Sequence, residues 1–115
     1  MNNQTSAQMN NELEPYVEYY DNGNVMVKGQ KNQYGRIEGL WECFYPNGSI
    51  SWRTQYKDGK EDGIKEDFFT NGNINFRAPY KDGVLDGIQI FYDEQENIIK
   101  HHVWEEGVLI YVIKL

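Results

Sequence analysis

The chain has one cysteine, two histidines and three prolines, and no long apolar run. Each shortage excludes something. A lone Cys43 rules out an internal disulfide and the thiol-rich metal sites. Its setting in WECFY, between rings, reads as a small buried hydrophobe, with no histidine near it to make a nucleophile. No stretch approaches the roughly 18 apolar residues that a membrane-spanning helix needs. The first residues, MNNQTSAQMNNELEP, lack the cationic start and apolar centre of a secretory signal, so a cytoplasmic location is the expectation. Cations are scarce as well: 11 Lys and Arg stand against 18 Asp and Glu, a net charge of −7. That balance argues against nucleic acid and anionic membrane surfaces as partners, and favours one basic protein.

What is abundant is turns and rings. Eleven glycines accompany nine Tyr, five Phe and three Trp in 115 residues, the length of one small domain. The passages YKDGKEDG at 56–63 and YKDGVLDG at 80–87 are nearly the same text, 24 residues apart. Four aromatic pairs, Tyr19-Tyr20, Phe44-Tyr45, Phe68-Phe69 and Phe91-Tyr92, open similar passages. The first three continue as YYDNGNV, FYPNGSI and FFTNGNI, whereas FYDEQENI has lost the glycine and reads as one residue longer. A period in this range marks a repeat architecture.

Asn-Gly between alternating apolar runs is a hairpin signal, because a type I′ turn needs φ > 0 at both central residues. With Asn47-Gly48 central, Tyr45 is expected opposite Ile50, Cys43 opposite Trp52 and Trp41 opposite Thr54. One face then collects Trp41, Tyr45, Trp52, Tyr56, Phe69, Phe76 and Tyr80 as the core. Asp58-Gly59 and Asp82-Gly83 reverse the chain again, and Gly63 and Gly87 open the next strands. The expectation is an all-β antiparallel meander of eight to ten strands, forming an elongated, twisted and curled single sheet with one buried and one wet face. Residues 1–15 read as a disordered or loosely attached N-terminal segment. The repeat domain spans 16–115, in units of about 16–38, 39–62, 63–86 and 87–115. The last run, GVLIYVIKL, is nearly all apolar and calls for an interior place or a partner strand, and so for a homodimer through the C-terminal strand.

The units GLWECFYPNGSISWRTQYKDGKEDG and GIKEDFFTNGNINFRAPYKDGVLDG resemble the MORN-like repeats of the short bacterial variant. Gly39, Trp41, Phe44, Tyr45, Asn47 and Gly48 match that pattern, followed by Tyr56, Gly59 and Gly63. The next unit matches at Phe68, Phe69, Asn71, Gly72, Tyr80, Gly83 and Gly87, with Lys65 where the pattern prefers Trp. The resemblance covers about residues 16–107. It implies a repeat sheet that binds, and it links the chain to antitoxin-like components of bacterial toxin–antitoxin systems.

Catalytic constellations are missing from the sequence. His101 and His102 are neighbours on a strand and point to opposite faces, so they do not share a metal site with Glu105 or Glu106. Asp58, Asp62, Asp82 and Asp86 sit at turns, where Asp is favoured for its backbone hydrogen bonds. They also form an acidic rim fit for a basic partner. Phe44, Phe68 and Phe91 are expected on the face opposite the rings, as an exposed binding stripe. The sequence thus points to a non-enzymatic protein-binding module without cofactor or metal, an antitoxin or immunity-type inhibitor of a basic toxin. A self-assembling scaffold is the alternative, and a lipid-associated module is less favoured.

Overall fold

β-Branched and aromatic residues with period two form strands, and paired turn residues reverse them. A computed structural model describes residues 12–115. Residues 1–11 of the expected loose N-terminal segment lie outside the described residues. The strands are β1 (Glu14–Tyr19), β2 (Val25–Lys31), β3 (Gly39–Phe44), β4 (Ile50–Lys57) and β5 (Lys60–Glu61), then β6 (Gly63–Phe68), β7 (Ile74–Lys81), β8 (Val84–Leu85), β9 (Gly87–Tyr92), β10 (Ile98–Glu105) and β11 (Val108–Lys114). Their order in the sheet is β1-β2-β3-β4-β6-β7-β9-β10-β11, with β5 on the end of β4 and β8 on the end of β7. Every pairing is antiparallel.

The molecule measures 61 × 38 × 16 Å, the thickness of one sheet with its side chains. Among the described residues nothing packs on either face. The expected core is therefore only partly a core: Trp41, Thr54, Ala78 and Gln89 are buried, while Trp52, Tyr56, Phe76 and Tyr80 are half-buried. Burial here is lateral, from ring to neighbouring ring. Tyr16 stacks on Trp41 at 5.4 Å, Trp41 meets Tyr56 edge-on at 6.4 Å, and Phe76 and Phe91 lie 5.7 Å apart. Lys65 Nζ stands 4.6 Å from the Trp52 ring. An open sheet of this kind is held by neighbour-to-neighbour terms, like other repeat arrays.

Cys43 opposite Trp52 and Trp41 opposite Thr54 are found as expected. The Asn-Gly turns are not type I′. Tyr45 N–H donates to the Ser49 carbonyl at 2.8 Å, Gly48 N–H donates to the Tyr45 carbonyl at 2.9 Å, and only Gly48 has positive φ, at 93°. This is a type I turn followed by a glycine bulge. Its extra residue moves the pairing so that Phe44, not Tyr45, faces Ile50. The type I′ turns are instead Asp58-Gly59 (φ 48° and 86°) and Asp82-Gly83 (49° and 89°), and Glu106-Gly107 has the same signs at 45° and 83°.

The fourth hairpin keeps the turn of the others. Asp93 N–H donates to the Asn97 carbonyl at 2.8 Å, and Glu96, at φ 72°, stands where the others carry glycine. No residue has been gained there; the aromatic pair has slid by one position. Tyr92 is thus the counterpart of Phe68, and Phe91 that of Asp67.

Candidate functional site

Two turn ladders join the units. Along one margin, Tyr20 Oη donates to the Phe44 carbonyl and Tyr45 Oη to the Phe68 carbonyl, each at 2.5 Å. Asn24 Nδ2 reaches the Pro46 carbonyl and Asn73 Nδ2 the Glu94 carbonyl, both at 2.9 Å. Along the other margin, Gly59, Gly83 and Gly107 donate to the carbonyls of Ile37, Glu61 and Leu85 at 2.8, 2.8 and 2.7 Å. These bonds account for the repeated YKDGxxDG text. The Asp-Gly pair turns the chain, and its glycine amide fastens each unit to the one before.

The acidic residues have structural work at this margin. Asp58 accepts Asn32 Nδ2 at 2.8 Å and pairs with Arg36 at 3.0 Å, and the hydrogen bonds from Asn32 and Arg36 hold its carboxyl below the usual range. Asp86 Oδ1 accepts the Glu106 amide at 3.2 Å. Asp62 N–H donates to the Gln55 carbonyl at 2.9 Å. Asp82 is an exposed turn residue. Together these four line one margin of the sheet.

The expected phenylalanine stripe does not form as a single face. Phe91 pairs with Phe76 on the aromatic face, where His102 approaches to 4.6 Å and Lys100 Nζ to 4.7 Å. The 23-residue interval from Phe68 to Phe91, against a structural period of 24, flips its alternation. Phe44 and Phe68 are half-buried, and Arg53 Cζ lies 5.4 Å from the Phe68 ring. His101 faces Ile90 and His102 faces Gln89, on opposite sides of the sheet. Burial and Lys100 lower the His102 pKa, and burial raises that of the Cys43 thiol. Among the described residues no three His, Cys, Asp or Glu side chains gather to hold a metal ion. No helix there is long and apolar enough to cross a membrane.

Two features escaped the reading of the sequence. On the face opposite the rings, Leu40, Ile64 and Ile88 recur at 24-residue steps, 43%, 52% and 54% exposed. Each follows the glycine that opens its unit, a signal present in the text. Beside them runs a registered row, Val17–Lys28–Glu42–Arg53–Glu66–Arg77–Ile90–His101–Ile113, crossing nine strands. Within it Glu66 binds Arg53 at 2.8 Å and Arg77 at 3.2 Å.

The sequence model of the MORN repeat variant matches residues 15–30, 37–58 and 61–82, just over half of the chain. The chain belongs to the MORN repeat variant family. No curated protein and no solved structure matches it. The hairpin of β9 and β10 lies beyond the matched residues, yet the turn that follows it repeats the Gly59 and Gly83 bonds at Gly107. What the MORN repeats build is an all-β, antiparallel, elongated repeat sheet.

Proposed function

We propose that the protein is a scaffold module that assembles with its own kind through the open edge of β11. The carrying observation is that strand itself. All seven residues of VLIYVIK are exposed, Val108 at 61% and Tyr111 at 53%, on the outermost position of the sheet. An apolar edge with unpaired backbone is a template for another strand. The other edge, β1, carries Glu14, Pro15 and Glu18, the residue types that guard an edge. Pairing β11 with a second β11 leaves two guarded ends, so the assembly closes as a dimer.

Leu115 N–H donates inward to the Ile99 carbonyl at 2.9 Å, so by alternation Val112 directs its amide to the open side. Val112→Pro removes that outward donor and leaves the β10–β11 ladder in place. Sedimentation velocity over a concentration series should show a wild-type dimer and a monomeric variant with unchanged circular dichroism. A wild-type protein that stays monomeric throughout sinks the reading. The second reading is an antitoxin or immunity-type inhibitor of one basic toxin, supported by the net charge of −7 and the margin of Asp58, Asp62, Asp82 and Asp86. A monomer that captures one basic product of an adjacent gene, and releases it in high salt, would favour it.

A further inference from the structure

We infer that the row Leu40–Ile64–Ile88 is a docking track for an amphipathic helix with an apolar heptad seam and a basic flank. The inference is independent of self-assembly through β11. The three residues stand on β3, β6 and β9, each two strand positions from the next in the order β3-β4-β6-β7-β9. Two strand spacings come to about 9.6 Å. An α-helix returns to the same face after seven residues, about 10.5 Å along its axis, so a slightly tilted helix keeps step with the row. An extended strand does not, since its same-face steps are about 6.7 and 13.4 Å. A polyproline helix has a turn of about 9.3 Å, but such helices dock in aromatic-lined grooves. Here most rings occupy the other face; Phe44 and Phe68 stand at the far ends of the track's strands, and the track itself is aliphatic.

The track is also shaped and charged for this occupant. The cross-strand neighbour of Ile64 is Pro79 and that of Ile88 is Val103, which widen the apolar row. Ile64, Glu66, Pro79, Ile88 and Ile90 line a depression of about 550 Å³ between the units. On one side the track meets the Glu42–Arg53–Glu66–Arg77 row, whose charges cancel among themselves. Toward the Asp-Gly margin, Glu38, Asp62 and Asp86 stand two residues before the three apolar positions, with Asp82 and Glu106 beyond them. Lys57, Lys60 and Lys81 share that margin but are outnumbered, so a helix lying on the track meets a net negative side, which lysine and arginine complement.

The test is a titration of the isotope-labelled full chain with an amidated peptide of about three heptads, leucine along the seam and lysine and arginine on one flank. Amide shifts are expected to centre on Leu40, Ile64, Ile88 and their cross-strand partners. Ile64→Ser combined with Ile88→Ser should weaken binding at least about tenfold. Both side chains are more than half exposed, so circular dichroism should be unchanged. The same peptide with glutamate on its flank should bind more weakly at low salt. The inference is overturned by absence of binding, by shifts on the aromatic face, or by equal affinity of the double variant. Tighter binding of a basic proline-rich peptide would overturn it too.

Discussion

Replacing Gly29 by alanine should destabilise the protein, although the general effect of such a change inside a strand is stabilising by about 0.5–1 kcal/mol. Gly29 has ordinary strand geometry, so backbone strain plays no part. The obstacle is Trp41. A Cβ at position 29 would lie 2.2 Å from Trp41 Cε3, 2.8 Å from Cζ3 and 3.0 Å from Cδ2. The indole cannot step aside, because Tyr16 stacks on it and Tyr56 meets its edge. Overpacking of this kind costs about 1–3 kcal/mol. Set against the intrinsic gain, the net loss runs from about 0 to 2.5 kcal/mol, and the 2.2 Å approach selects the upper half, about 1–2.5 kcal/mol or a fall in Tm of roughly 4–10 °C for a chain of this size. The decisive assay is a double-mutant cycle in urea, followed by tryptophan fluorescence and far-UV circular dichroism. With Trp41→Leu as background the clash disappears, and Gly29→Ala should become neutral or stabilising, with a coupling above about 1 kcal/mol. Equal effects of Gly29→Ala in both backgrounds would refute the idea that the ring dictates the glycine.

The tyrosine ladder predicts a pair of opposite outcomes: Tyr45→Phe loses the bond to the Phe68 carbonyl and about 1 kcal/mol, whereas Phe69→Tyr restores a rung and gains a similar amount in urea denaturation. Thr54 is 1% exposed and its Oγ1 has no hydrogen-bond partner among the described residues, so Thr54→Val should raise the urea midpoint by the equivalent of about 1 kcal/mol. His102 has a folded pKa below its ordinary 6.5, so the unfolded chain binds the proton more readily. Its contribution is therefore complete above pH 6.5 and is lost as pH falls through the folded value; His102→Gln should narrow the stability gap between pH 7.5 and pH 5.5, and an unchanged gap would count against it.

Much of this architecture was legible because repetition amplifies weak local signals. Trp41 opposite Thr54 and Cys43 opposite Trp52 follow from alternation counted back from the turn, and the ladder agrees. The turn type was misread although its cue was in the text. Pro46, with φ fixed near −65°, suits the second position of a type I turn, whereas as the first residue of a type I′ turn at Asn47-Gly48 it would lack the N–H that closes a two-residue hairpin. Phe91 was misplaced because aromatic pairs were aligned instead of turns. In the fourth unit the ring has moved while the turn has not. The Leu40–Ile64–Ile88 row went unnoticed for a different reason. A sheet is ordinarily read as having one covered face, so leucine among charges looks incidental. Only the 16 Å thickness shows that, among the described residues, neither face is covered and the row stays open.

The amides of Gly59, Gly83 and Gly107 reach back by one unit and no further. Every junction therefore shares this bond, and among the described residues no backbone bond joins one end of the sheet to the other. Length then becomes an independent variable. Excising residues 63–86, or copying them in tandem, joins Asp-Gly margins that already fit. Each added unit extends the sheet by about 9.6 Å, two strand widths. Such a protein can be graduated like a ruler, its reach set by how often a 24-residue phrase is written.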